Sequence, residues 1–175
     1  YIRDWGMEQL VRDARITQIY EGTNGIQALD LVGRKLSVGT GRLLRRFFHP
    51  VADYIETAGS DPAMAEFVLP LAKAFAKLQQ ATAWLAQAGL KDPEEAGAAA
   101  NDYLRLFALV ALGYMWCRMV AVALPKQEGG EAAFYQAKVT AARFFTAKIL
   151  PETNLLFTTL TAGKGSVMAP SEAFF

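Results

Sequence analysis

Cysteine and histidine are nearly absent: the chain has one of each among its 175 residues, Cys117 and His49. A single cysteine excludes an intrachain disulfide and points to an intracellular, cytoplasmic setting. One histidine and one cysteine at this spacing build no zinc site, so no metal is expected. Cys117 ends the apolar run Gly113-Tyr114-Met115-Trp116-Cys117 and reads as a buried structural thiol. His49 precedes Pro50 and reads as a capping or surface residue. Excess charge is lacking too, since 18 Lys and Arg against 17 Asp and Glu leave +1. Bulk electrostatics therefore recruits neither nucleic acid nor an anionic membrane. Arg42, Arg45 and Arg46 form the one cationic cluster and read as a solvated helix face, the alternative being contact with an anionic ligand or partner. An uninterrupted apolar run is missing as well. Leu104 to Leu124 is broken by Arg105 and Arg118, with Gly113 and Tyr114 inside it, and reads as a buried bundle helix instead of a membrane span. No signal-peptide pattern opens the chain, and Tyr1-Ile2-Arg3-Asp4 reads as mid-protein sequence, so a fragment is expected. Gly163-Lys164-Gly165-Ser166 lacks the preceding strand and the first glycine of a phosphate loop.

What the chain has in quantity is apolar side chain, 53% of all residues, with Ala and Leu prominent. That composition predicts an ordered helical protein with a sizeable core. Met7, Leu10, Val11, Ala14 and Ile19 recur at helical spacing over residues 6–19. The pattern breaks at Glu21-Gly22-Thr23-Asn24-Gly25, and Thr23 or Asn24, the latter with Gln27, can cap a new helix carrying Ile26, Leu29, Leu31, Val32 and Leu36. A weak hinge follows at Ser37 to Thr40. Four long helical segments come next: 41–58 with Pro50 as a kink or restart, a second to about Ala88 kinked at Pro70, a third ending before Pro125, and a fourth over 131–161 bent or broken at Pro151. Asp61-Pro62 and Asp92-Pro93 are start signals, with Glu94 and Glu95 complementing a helix N-terminus. Short Gly/Pro/Asp joints between long helices predict an all-α, antiparallel four-helix bundle. Phe134, Phe144, Phe145 and Phe157, with Trp84 and Trp116, are expected in its core. The tail from Gly163 shows no period, and Phe174 and Phe175 either dock or stay loose.

The chemistry concentrates at one joint. Glu21 is a lone carboxylate beside a glycine and small polar residues, between two helical segments. A carboxylate so placed reaches into a cleft with its own N–H beside it. Those are two of the parts needed to take a proton from carbon next to a carbonyl. The ordinary alternative is an exposed Glu at a helix joint.

The run Tyr20-Glu21-Gly22-Thr23-Asn24-Gly25-Ile26-Gln27, preceded by Arg12-Asp13-Ala14-Arg15-Ile16, resembles the C-terminal signature of acyl-CoA dehydrogenases. Ala28 to Leu36 and the long extension resemble the larger bacterial branch, which includes 3-methylthiopropionyl-CoA dehydrogenases and carries an acetyl-CoA-dehydrogenase-like C-terminal domain. The resemblance divides the chain into residues 1–36, the end of the family's C-terminal helical domain, and residues 37–175, the helical extension. It implies a FAD-dependent oxidoreductase that dehydrogenates an acyl-CoA thioester between its α and β carbons. Glu21 then falls on the α-proton base, and Gly22 allows close approach of the backbone to the thioester. Thr23, Asn24 and Gly25 fall on positions that approach the flavin; Gln27 and Arg34 are weaker candidates, Arg34 as a surface or inter-subunit residue. An electron-transfer flavoprotein as electron acceptor and a homodimer or higher homo-oligomer are implied as well. The piece alone is expected neither to hold FAD nor to turn over. The competing reading is a helical oligomerisation or interaction module without catalysis of its own.

Overall fold

The computed structural model describes residues 2–19, 23–171 and 173. Among these residues every regular element is a helix or a helical turn. A 3₁₀ turn at Arg3–Trp5 precedes α1, Glu8–Ile19. Helix α2, Thr23–Asp30, runs on into a π-helical turn, Leu31–Lys35. Helix α3 is Arg42–Ala58, α4 is Ala65–Lys91 and α5 is Pro93–Ala123. Helix α6, Ala132–Phe144, continues through a second π turn, Phe145–Ile149, and α7 is Glu152–Thr161. A single turn, α8, Gly165–Met168, lies in the tail, where no period was expected.

Local chemistry sets most of these boundaries. Asp61 and Asp92 are extended, and each side chain accepts from the N–H two residues on, at 2.9 Å from Ala63 and 3.0 Å from Glu94. Each is followed by proline at the first helical position, where a missing donor costs nothing. Gly39, Thr40 and Gly41 all have positive φ and separate α2 and its π turn from α3; glycine suits that conformation at two of the three. Pro50 and Pro70 are carried inside continuous α3 and α4, so neither restarts its helix. Pro151 does mark a break, between the second π turn and α7. Asn24 is not a cap: α2 has already begun at Thr23, which puts Asn24 inside its first turn.

Helices α3, α4, α5 and α6–α7 run alternately up and down. Phe48 of α3 meets Phe75 of α4 edge-on at 5.2 Å. The Cys117 thiol of α5 donates to the Phe67 carbonyl of α4 at 3.5 Å, and Thr82 and Tyr103 share a hydroxyl hydrogen bond of 2.8 Å further along the same pair. Trp116 lies 6.2 Å from Phe145, and Arg105 donates to Glu152 at 2.9 Å. Tyr103, Phe67, Leu71, Leu78, Leu106 and Leu160 fill the centre. Each such buried side chain is worth about 1.5–3 kcal/mol of transfer free energy. Gly113 lets α5 pass its neighbours closely: a Cβ there would stand 3.3 Å from Leu71 Cδ1 and 3.4 Å from Leu150 Cδ1.

The run Pro93–Lys126 is long and apolar enough to cross a membrane by length and composition. Here α2, α4, α6 and α7 pack around it, which makes it the central helix of the bundle. The expected aromatic core is corrected in part. Phe145 is buried and Phe157, Trp84 and Trp116 pack against the core, but Phe134 and Phe144 are 57% and 61% exposed. Phe144 and Phe145 are adjacent and point about 100° apart on a helix, so one face cannot bury both. Phe174 and Phe175 lie outside the described residues.

Candidate functional site

Helix α1 ends at Ile19 and α2 begins at Thr23. Glu21 and Gly22, the two residues expected to carry the chemistry, fall between them and outside the described residues. The three residues expected to approach a cofactor form the first turn of α2. Thr23 and Gly25 are half-buried and Asn24 is exposed. A Cβ built on Gly25 would meet nothing within 4 Å, so the turn is open on that side. The early N–H groups of a helix lack intrahelical acceptors and carry partial positive charge, so the turn offers donors to an electron-rich group.

The polar residues flanking the joint are occupied locally. Arg12 pairs with Glu8 at 2.6 Å and donates to Gln9, and Asp13 accepts from Gln9 at 2.7 Å. Gln27 is exposed. Arg34 is a surface residue bound to Asp30 at 2.6 Å, with Lys35 at 3.2 Å from the same carboxylate. The Arg34 hydrogen bond, helped by Lys35 and opposed by partial desolvation, holds the Asp30 carboxyl below its ordinary range.

Packing around the joint is one-sided. Helix α1 buries no residue, and the stripe of Met7, Leu10 and Ile19 is exposed. Helix α2 buries Ala28 and packs against α5. Leu31, Val32 and Leu36 settle on the main core. Beside them lies a groove of about 560 Å³, lined by Leu29, Val32, Leu36, Leu44, Leu85 and Ala96 among others. This groove is not legible in the sequence, because its walls come from four separate segments and are mainly common aliphatic side chains.

Among the described residues there is no cluster of three His, Cys, Asp or Glu side chains placed to hold a metal ion. Arg42, Arg45, Arg46 and His49 are exposed on α3, and Arg45 donates to the Thr40 carbonyl. The Gly163–Ser166 stretch is not a phosphate loop. Lys164 forms ion pairs with Asp92 and Glu94, and its N–H donates to Glu95, so carboxylates already surround it. Its ammonium pKa is raised by the Asp92 and Glu94 hydrogen bonds.

Two family models match. The acetyl-CoA dehydrogenase C-terminal-like model covers residues 47–171, and the acyl-CoA dehydrogenase C-terminal domain model covers residues 1–36. A 3-methylmercaptopropionyl-CoA dehydrogenase from Ruegeria pomeroyi is 33% identical over 98% of this chain and 29% of its own length. The broad-specificity linear acyl-CoA dehydrogenase FadE5 of Mycobacterium tuberculosis is 31% identical over 86% of this chain and 26% of its own. A butyryl-CoA dehydrogenase from Syntrophomonas wolfei is 28% identical over 99% of this chain and 29% of its own. The chain thus spans less than a third of the length of these relatives.

Proposed function

The chain belongs to the acyl-CoA dehydrogenase family, through that family's C-terminal helical domain and the acetyl-CoA-dehydrogenase-like domain after it, and from this we propose that it is the C-terminal part of a flavin-dependent enzyme that dehydrogenates an acyl-CoA thioester between its α and β carbons. The observation that carries the reading is the contiguous run from Arg12 to Gln27, in which Glu21 falls in sequence between α1 and α2. We divide the chain at residues 1–36 and 37–175, the second part being the helical extension.

Glu21 is the base. Its carboxylate takes the α proton, and its own N–H donates to the thioester carbonyl. A donor of this kind is worth roughly 3–4 kcal/mol when fixed in place beforehand. Gly22 keeps the backbone close to the thioester because it has no Cβ. Thr23, Asn24 and Gly25 are the residues of this chain that would approach the flavin, at a turn of small side chains with open space beside Gly25. The chemistry that FAD would supply there is acceptance of the hydride from the β carbon. Three residues on one open turn are too few to hold it, so this chain alone neither retains flavin nor turns over. An electron-transfer flavoprotein as acceptor and a cytoplasmic setting, compatible with a single buried thiol, complete the proposal.

In the full-length enzyme, Glu21→Gln keeps flavin and acyl-CoA binding and lowers kcat by at least about 10²–10⁴-fold, the range of a positioned general base. Near-normal turnover by that variant removes Glu21 from the mechanism.

A second role for the extension, self-association, is favoured by one feature. Leu112, Met115, Met119 and Val122 are exposed on α5 and spaced three and four apart, a pattern that suits a partner helix. Light scattering after size exclusion tests it. A strictly monomeric chain, together with an unchanged oligomer after deletion of residues 37–175, counts against it.

A further inference from the structure

Helix α3 turns one face inward, where Phe47, Phe48, Val51 and Tyr54 meet the core and Phe47 lies 4.7 Å from Phe107 of α5. Its other face is exposed and divided by charge. Arg42, Arg45, Arg46 and His49 occupy the first half, and Asp53 and Glu56 the second. At 3.6 residues per turn, these six positions fall within roughly one third of the helix circumference. Among the described residues, none of the three arginines and neither carboxylate forms an ion pair within the chain. Carboxylates are favoured near a helix N-terminus and cations near its C-terminus. Helix α3 has the reverse: no acid in its first turn, no base in its last, and no side chain capping its start. Taken alone, α3 therefore carries its charge against its own dipole.

The spacing is self-complementary. Arg42 stands seven residues before His49 and Glu56 seven after; Arg45 stands four before and Asp53 four after. Turned end over end about His49, a second α3 brings Glu56 beside Arg42 and Asp53 beside Arg45, and both pairs recur on the other side of the axis. The carboxylates of each copy then sit near the other's helix N-terminus, which offsets the reversed dipole. An anionic ligand would use the cationic half alone and leave Asp53 and Glu56 without a role. We propose that this face of α3 is a docking surface for a second copy of the chain, antiparallel and two-fold about His49. One helix face is smaller than the ~800 Å² per partner of a standard interface, so the contact is weak and weakens further as salt screens it. It sets the register of the two copies more than their affinity. The surface is separate from the apolar stripe on α5, and it rests neither on that stripe nor on the assignment of Glu21.

The test uses the full-length enzyme and reads a cross-link on the axis. His49→Cys places two thiols face to face, within disulfide reach for helices about 8–10 Å apart. The native Cys117 is buried and does not compete. Under mild oxidation at low salt, the His49→Cys enzyme forms a disulfide between residues 49 of two copies, identified by mass spectrometry of the linked peptides, and the yield falls as salt is added. Adding Arg42→Glu with Arg45→Glu, or Asp53→Arg with Glu56→Arg, lowers the yield at least about tenfold, because like charges then face each other. Mixed together, the two variants cross-link to one another at close to the original yield, since every pair between them is again of opposite sign. Arg42→Glu and Glu56→Arg as single changes repeat the comparison in milder form if a double variant fails to fold, and they keep the Arg45 bond to the Thr40 carbonyl. No cross-link at 49, equal yields from every variant, or a mixture no better than its components overturns the proposal. Association through the α5 stripe, present or absent, leaves this comparison unchanged.

Discussion

Cys117 is 2% exposed between α4 and α5, and burial pushes its thiol up to about 12. Tyr103 and Tyr54 move the same way, each from 10.0 to about 12, with desolvation the largest cause in both. In the unfolded chain these groups ionise near their ordinary values, about 8.5 for Cys and about 10 for Tyr. Between roughly pH 9 and 12 the unfolded state therefore releases protons that the folded state retains, and stability falls as pH rises. Below about pH 8 both states hold these protons, and the three groups contribute no slope. The expected result is a urea midpoint insensitive to them at pH 6–8 and declining above pH 9. Cys117 should resist alkylation at pH 8 until the chain unfolds, and prompt labelling of the native chain would place the thiol at the surface. Tyr54 tests burial from another side, because its hydroxyl is buried without a hydrogen-bond partner among the described residues. Tyr54→Phe should be neutral or stabilise by about 1 kcal/mol, since it removes an unsatisfied polar atom and keeps the ring packed on Tyr114 at 5.4 Å. A clear loss of stability would reveal a partner for that hydroxyl.

Helix α5 carries the architecture, and Gly113 is a point where its neighbours come close. Gly113→Leu drives carbon into Leu71 and Leu150 and should cost about 1–3 kcal/mol, read as a lower urea midpoint at unchanged slope. An undiminished midpoint would mean that the bundle repacks freely there. At this scale the sequence was legible wherever punctuation is chemical. Asp61-Pro62 and Asp92-Pro93 announce helix starts because a carboxylate accepts an early N–H and proline fixes φ. It was less legible wherever the answer depends on a neighbouring element. Helical spacing proposed Phe134 and Phe144 for the core, but it cannot say which face of α6 meets α4 and α5, and both rings ended exposed. Pro50 read as a kink or a restart and Pro70 as a kink, and α3 and α4 run on through both.

At the scale of the molecule the two ends of the chain differ. From α3 to α7 the helices share one continuous core, whereas α1 buries nothing and α2 depends on α5. The candidate site was legible as a contiguous signature, because Glu21-Gly22-Thr23 is chemically distinctive between two helical patterns. Its surroundings were not, because the packing of α2 on α5 depends on where the two helices meet. Local stability follows burial. In the chain by itself, amides of α1 should exchange first, those at the start of α2 next, and those of central α4 and α5 last. The same ordering governs cofactor retention. Thr23, Asn24 and Gly25 present one open turn beside an unpacked α1, whereas small-molecule sites bury about 70–90% of their ligand. Mixed with excess FAD and passed through gel filtration, the chain should emerge colourless, and it should not reduce an electron acceptor on addition of acyl-CoA. A yellow, active preparation would mean that residues 1–175 build an enclosed flavin site by themselves, which would overturn the division of labour proposed between this chain and the rest of the enzyme.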